Sequence, residues 1–463
     1  MTTLSTRESA QIRLTRTQGG IGVFFLVVLA IGGLLAWRTT VTLLLGAGTA
    51  FYLFSLVWKA RLIHAAYVGL PKREPVTLLD DADLPRYTIL VPLYHEGAVA
   101  AAAVRHLMTM DYPKDRLEIL LLCETGDDET LSAVNALTLP PFVHVVVCAP
   151  GIPQTKPRAC NLGLARATGE LLVIYDAEDR PALDQLRIAA STFAHDRGAI
   201  GCLQARLDYH NSRHNWLTRF FTVEYNHWFA LLLPTLAERR LPIPLGGTSN
   251  HFRTRVLREV RGWDAWNVAE DADLGVRLYA AGYDTGMIDS VTWEEACSRL
   301  GPWMRQRTRW IKGYMMTFLV NTRSVSWVAR RDRPVSAVAA FAALIPGTPL
   351  VLLMNPIFWG LLLVHAVTRS QLIVELIPGP VLYPGVVSLV IGNALFIYVN
   401  MAAVDYHRRW HLGRAALLSP VYWCLLSVAA WRALLQLVTQ PHLWEKTPHG
   451  LSESDKLAEA ANG

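Results

Sequence analysis

Two apolar blocks bracket a middle region in which short apolar runs alternate with helical stretches. Residues 21–37 are nearly pure hydrocarbon and stop at Arg38; residues 41–58 form a second such run and stop at Lys59 and Arg61. Each is close to the ~20 residues that span a bilayer, so 21–61 reads as a transmembrane helical hairpin. A cleaved signal peptide is not expected, because a second span comes at once and no small-residue cleavage site precedes it. Arg7, Arg13 and Arg16 lie before the first run, and basic residues lie after the second. The positive-inside rule then puts the tail 1–20, and the chain beyond the hairpin, in the cytoplasm.

From about Pro85 the texture is that of an α/β domain extending to about residue 300. Residues 87–93, 117–123, 143–148, 171–175 and 199–205 are apolar runs of strand length, with 98–108, 158–167 and 181–194 reading as helices between them. Strands that are apolar throughout and alternate with helices predict a mostly parallel sheet covered by helices on both faces. Leu274, Leu278 and Ala281 mark one face of a further helix that stops at Gly282. Aromatic residues crowd 214–233, and burial is the expected fate of most of them.

The second apolar block begins after Arg330, Arg331 and Arg333. Residues 335–367 are interrupted by Pro346, Pro349 and Pro356, 381–404 is a clean span, 405–414 is a basic loop, and 415–438 is broken by Pro420 and Arg432. The basic loop favours a cytoplasmic side. One crossing by 335–367 and a return by 381–404 satisfy it, leaving 415–450 as a membrane or interfacial segment and 451–463 as a disordered tail.

Composition agrees. The 463 residues are 52% hydrophobic and only 18% charged, with a net charge of +6. Soluble domains run near a quarter charged, so part of the chain belongs in lipid. With so apolar a chain, the positive charge points to anionic lipid or an anionic substrate rather than nucleic acid. Six cysteines without a CxxC pair indicate neither a zinc site nor a disulfide framework.

Ligands of parallel sheets bind beyond the carboxyl ends of the strands. There the sequence places Tyr94-His95-Glu96, then Glu124-Thr125-Gly126-Asp127-Asp128, then Lys156, then Asp176-Ala177-Glu178-Asp179. Any one acidic cluster reads as a helix cap; several converging on one edge read as a site. Asp176 and Glu178 suit Mg²⁺ or Mn²⁺, which bind through one or two carboxylates and substrate phosphates. The turn 246–252 lets backbone approach a ligand closely, with Gly247, Ser249 and Asn250 as candidate substrate contacts. Asp271, beside Glu270, starts a helix and is either a cap or a general base. In 302–314, Gln306, Arg309 and Trp310 sit at i, i+3 and i+4 and share a helix face. Arg299, Arg305, Arg307 and Lys312 crowd the same stretch, which contains no acidic residue. Guanidinium forks match a diphosphate; a basic helix on acidic headgroups is the competing reading of 301–333.

The order of the Glu124 cluster, Asp176-Ala177-Glu178-Asp179, Ala269-Glu270-Asp271 and Gln306-Arg307-Thr308-Arg309-Trp310 resembles the membrane-bound family 2 glycosyltransferases. These include the cellulose, hyaluronan and chitin synthases, and the resemblance runs from Ile21 to Gly450. It implies a GT-A fold flanked by transmembrane helices in the cytoplasmic membrane. It also implies an inverting enzyme that polymerises a nucleotide sugar, UDP-linked by the family's habit, into a β-linked polysaccharide and extrudes it. Glu96 and Glu124 would lie near base and ribose, Lys156 near the base or diphosphate, and Mg²⁺ or Mn²⁺ on Asp176 and Glu178. Asp271, with Glu270, would be catalytic, and Gln306, Arg309 and Trp310 would position the diphosphate and the glycan end. Trp303, Arg305, Arg307 and Lys312 would then face headgroups. Two departures stand out: Glu178 and Asp179 compete as second metal ligand, and Ala269 replaces the family's threonine. The stretch 444–449 resembles the tryptophan-threonine tail of hyaluronan-type synthases, which implies that 415–438 does not cross and that there are four spans. The implied partners are donor, growing polysaccharide, lipids and an export protein. A single-transfer enzyme on a lipid-linked acceptor and an inactive surface-complex scaffold are the alternatives; intact Asp176 and Asp271 argue against the latter.

Overall fold

The computed structural model describes residues 4–69, 75–324 and 334–445; Arg330, Arg331, Arg333 and most of the 444–449 motif lie outside them. The strands of the middle domain are β1 Tyr87–Leu93, β2 Leu117–Glu124, β3 Val143–Cys148, β4 Leu171–Ile174, β5 Arg180–Pro181, β6 Ile200–Tyr209, β7 Asn250–Arg253 and β8 Asp284–Glu294. They form one sheet in the order β3-β2-β1-β4-β7-β6-β8-β5. The β1–β4 half is parallel, as its largely apolar runs predict: Tyr87 pairs with Leu117 on one side and Leu171 on the other. The whole sheet is mixed but, as expected, mostly parallel: four of its seven ladders are parallel and they are the longer ones. β7 runs antiparallel to both β4 and β6, and β5 antiparallel to β8.

The register sets the site. Leu93 pairs with Cys123 and Glu124 with Cys148, so the segments after β1, β2 and β3 emerge on one edge. Because β7 is antiparallel to β4, the turn that precedes it returns to that same edge. Tyr209 pairs with Glu294 in the parallel β6–β8 ladder, which brings the end of β8 there too.

Helix Arg16–Gly69 is broken at Ala36 (φ −151°, ψ 56°). A Cβ built on Gly32 would lie 2.7 Å from Thr40 Oγ1, so the chain doubles back at this point. The outer half presents hydrocarbon to its surroundings, with Leu34 and Leu35 85% and 83% exposed. Among the described residues, four helices are long and apolar enough to cross a membrane: Arg16–Ala66, Gly347–Thr368, Gly379–Tyr406 and Ser419–Thr439. The run 335–367 is two helices, Pro334–Leu344 and Gly347–Thr368, with a tight corner at Gly347.

Ser419–Thr439 packs lengthwise on helix Leu300–Asn321, which carries Gln306, Arg309 and Trp310. Trp303 Nε1 donates to Tyr422 (3.3 Å), and Lys312 Nζ donates to Gln436 Oε1 and to the carbonyls of Gln440 and Leu443 (3.2, 3.2 and 2.9 Å). Arg307 forms a fork with Glu224 (3.0 and 2.5 Å). Trp303, Arg307 and Lys312 are therefore enclosed by protein and do not face headgroups, contrary to expectation. A cationic side chain can be buried where neighbouring oxygens accept its hydrogen bonds. The apolar helices are fastened to the sheet by Arg409, whose guanidinium takes both oxygens of buried Asp208 on β6 at 2.7 Å.

Candidate active site

A cleft of about 390 Å³ opens at the strand ends. It is lined by Glu96, Glu124, Lys156, Asp176, Glu178, Gly247, Glu270, Asp271, Gln306, Arg309 and Trp310, eleven of the thirteen residues expected from the sequence. Ser249 and Asn250 are the two that do not line it. Ser249, fully buried with φ +54°, donates its hydroxyl to Thr292 on β8 (2.6 Å), and Asn250 ties its amide to the Gly246 carbonyl as β7 begins. They hold the turn that presents Gly247.

Each wall has a local cause. Left-handed backbone at His95 (φ +52°) turns the chain after β1, and the His95 amide donates to Asp127 (2.5 Å). Asp127 also caps helix Asp128–Asn135, so the bland cap reading holds for that carboxylate. Arg158 approaches Glu124 at 3.5 Å. Helix Leu300–Asn321 presses on the turn before Glu270: a Cβ on Gly313 would sit 2.7 Å from the Ala269 nitrogen and closer still to its Cβ. Only glycine permits that approach.

Lys156 Nζ bridges both Asp176 oxygens (2.5 and 2.7 Å) and the Gly247 carbonyl (2.8 Å). Burial works against this ammonium, yet Asp176 and then Glu270 hold its pKa above the ordinary range. Asp179 is 3% exposed; it accepts from the Asp176 amide (2.7 Å) and from Thr248. Glu178 faces the cleft and Asp179 does not. Burial, then the charges of Asp176 and Glu178, push Asp179 well above the usual carboxylate range, and burial with the charges of the same cluster does so for Glu294. One buried Asp179 oxygen has no hydrogen-bond partner. Among the described residues no group of three His, Cys, Asp or Glu forms a closed metal site. Lys156 offsets only part of the negative charge that Asp176, Glu178, Asp179 and Glu294 gather here, and two cleft-facing carboxylates in that setting fit a divalent ion completed by substrate phosphates.

Glu270 and Asp271 start helix Glu270–Ala280. Burial, then the charge on Asp271, hold Glu270 up at about 7, and burial raises Asp271 against the Ala272 amide, Lys156 and Arg309. A carboxylate raised by burial suits proton abstraction. Glu270 keeps its proton up to about 7, so Asp271 ionises beside a neutral neighbour, and Glu270→Gln removes no charge that acts on it. The acid limb of a kcat/KM–pH profile, along which activity rises as the base deprotonates, is therefore expected to stay in place in Glu270→Gln. A limb that moves or disappears would make Glu270 the base.

Sequence reasoning missed Glu294, which lines the cleft from the end of β8, and did not assign Tyr225, which stacks on Trp310 with ring centroids 6.4 Å apart. Trp444, from the tail motif, also lines the cleft and lies 4.6 Å from the Arg309 guanidinium. On the opposite side a second cavity, about 300 Å³, runs between the domain and the apolar helices. Gly247, Ala269, Asp271, Tyr225 and Trp310 line both cavities.

Residues 85–313 match the family described as "Glycosyltransferase like family 2". That match covers just under half of the chain. The domain is similar to the probable glycosyltransferase YdaM of Bacillus subtilis, with 28% identity over 279 residues that cover 57% of this chain and 66% of that protein. It is also similar to a beta-monoglucosyldiacylglycerol synthase of Synechocystis, with 26% identity over 278 residues covering 57% and 56%. The chain thus spans between about half and two thirds of these relatives' length. The mannosyltransferase PcManGT of Pyrobaculum calidifontis, solved with GDP-Man and Mn²⁺, aligns with a TM-score of 0.57 and 19% identity over 87% of this chain and 99% of that one. The fold of the middle domain is GT-A, with a mixed sheet.

Proposed function

We propose that this protein is an inverting, metal-dependent membrane glycosyltransferase. It moves a sugar from a nucleotide donor in the cleft to an acceptor hydroxyl that arrives from the apolar-helix side. The observation that carries this is Asp271, a carboxylate that lines both cavities and stands where donor and acceptor would meet. Asp271 takes the acceptor proton as the oxygen attacks the anomeric carbon, and one displacement inverts it. Arg309 and Lys156 hold the diphosphate, while Glu96 and Glu124 line the nucleotide end. Asp176 and Glu178 would hold Mg²⁺ or Mn²⁺, whose chemistry is to neutralise the leaving diphosphate.

Two acceptors compete. The resemblance to polysaccharide synthases and the stacked Trp310–Tyr225 pair favour a growing glycan; the apolar lining beyond Asp271 favours a lipid. The test is to incubate the purified chain with α-linked nucleotide sugars, Mn²⁺ and a bacterial lipid extract, then follow nucleotide release and assign the product anomer by NMR. A β-linked product is expected. An α-linked product, or no nucleotide release from any donor, sinks the proposal.

A further inference from the structure

The cavity on the acceptor side does not end beneath the domain. Lys59, Ser55 and Tyr52 of the hairpin, Thr348, Leu352 and Asn355 of Gly347–Thr368, and Phe396, Asn393 and Ser388 of Gly379–Tyr406 line it in order away from Asp271. Tyr52 and Ser388 also line a further chamber, which continues along the same helices past Thr49 to Leu45, past Phe358 and Leu362 to His365, and past Val386 to Val381. From Lys59 to Leu45 the hairpin covers ~21 Å at 1.5 Å per residue, most of the ~30 Å of a hydrocarbon core. The two chambers meet where the Tyr52 hydroxyl donates to the Asn355 side-chain carbonyl.

Polarity falls along this route. The near chamber carries Lys59, Glu224, Asp271, Arg307 and Asn393, whereas leucine, valine, isoleucine and phenylalanine dominate the far one, with Thr49, Tyr52, His365 and Ser388 as its polar members. The far chamber, about 50 Å³, has room for about four water molecules, too little for a pyranose and its hydroxyls. Sugar hydroxyls would also lack partners there, and unpartnered buried hydroxyls are costly. A hydrocarbon chain needs neither the width nor the partners.

We infer that the two chambers form the acceptor site for a membrane lipid, its hydroxyl-bearing headgroup at Asp271 and one acyl or alkyl chain running past Tyr52 and Asn355 into the far chamber. This rests on the transferase reading above and names its acceptor. Val386 then sits against the tail's distal part, far from the chemistry, and residue bulk there limits chain length.

The full-length protein in detergent, with whichever nucleotide sugar it turns over, is given 1-O-alkylglycerols with butyl, octyl, dodecyl and hexadecyl chains. KM is expected to fall about fourfold per methylene that enters the slot, the equivalent of ~0.8 kcal/mol. Partition into micelles also favours long chains, so the decisive comparison is with Val386→Trp, which fills the far chamber. It should raise KM for hexadecylglycerol at least about tenfold, the loss of two or more buried methylenes, and leave butylglycerol unchanged. Leu362→Trp, on the opposite wall, should do the same and serves if Val386→Trp does not fold. Equal effects on all chain lengths, or none, overturn the lipid slot while the transferase reading stands. A polymer as the product, with no alkylglycerol glycoside, overturns it in favour of a glycan acceptor. Failure to release nucleotide with any donor or acceptor counts against the transferase reading itself.

Discussion

Asp271→Asn lowers kcat for sugar transfer by ~10²–10⁴-fold, the usual worth of a positioned general base, while donor affinity stays within a few-fold of wild type. The amide is isosteric, and its oxygen can still accept from the Ala272 amide as the carboxylate does at 2.7 Å. The helix start is preserved, Lys156 stays on Asp176 and Gly247, and the diphosphate end of the cleft is intact. What disappears is a proton acceptor at the junction of the two cavities. The loss therefore falls on kcat and not on donor binding, and single-turnover assays with saturating donor read it directly. Glu270→Gln should keep most of the wild-type plateau and leave the acid limb of the pH profile in place. If Asp271→Asn retains kcat within about threefold, too little loss for a general base, another group takes the proton and the mechanism is wrong.

The parallel half of the sheet was legible because β1, β2 and β4 are largely apolar runs buried on both faces. Of the other half only β6 was read, as the run 199–205; β5, β7 and β8 were not, and β7 and β8 carry polar residues inside. β8 buries Asp284, Thr285, Ser290 and Thr292, and Gln185 donates to Ser290 and Thr292 at 3.0 and 3.2 Å. β7 buries Asn250 and His251, with the His251 ring 2.7 Å from the Tyr87 hydroxyl. A hydrogen-bond network that satisfies polar groups inside a sheet erases the apolar signal by which strands are read. That is also why the Gly246 turn looked longer than it is and why Ser249 and Asn250 were taken for ligand contacts.

The site was more legible than the fold, because its residues are fixed by charge type at strand ends, and strand ends follow from the apolar runs. Glu294 was missed along with its strand. The basic face of Leu300–Asn321 was misread in part for a different reason. Periodicity puts Gln306, Arg309 and Trp310 together, but it does not show that Ser419–Thr439 covers the neighbouring side. Nothing local in Trp303, Arg307 or Lys312 separates a headgroup contact from a buried one; their partners Tyr422, Glu224 and Gln436 lie 83 to 124 residues away in sequence.

Chelation with EDTA is expected to stop transfer, with Mn²⁺ or Mg²⁺ restoring it. Asp179→Asn should raise the metal concentration required by ~10–100-fold, the usual effect of disturbing a group that orients a ligand. Asp176 and Glu178 face the cleft, whereas Asp179 stands behind them with one oxygen on the Asp176 amide and Thr248. An amide there can direct an N–H at the Asp176 amide instead of an acceptor, so Asp176 loses its fixed orientation. Asp176→Asn acts more directly: it removes a ligand charge and also frees Lys156, which holds both oxygens of that carboxylate. It should therefore impair metal and diphosphate binding together, whereas Asp179→Asn should shift the metal titration alone and recover near wild-type kcat at saturating Mn²⁺. Transfer that persists undiminished in EDTA would leave Lys156 and Arg309 as the only charges on the diphosphate among the cleft residues. The carboxylate pair would then have to be reassigned to the sugar hydroxyls.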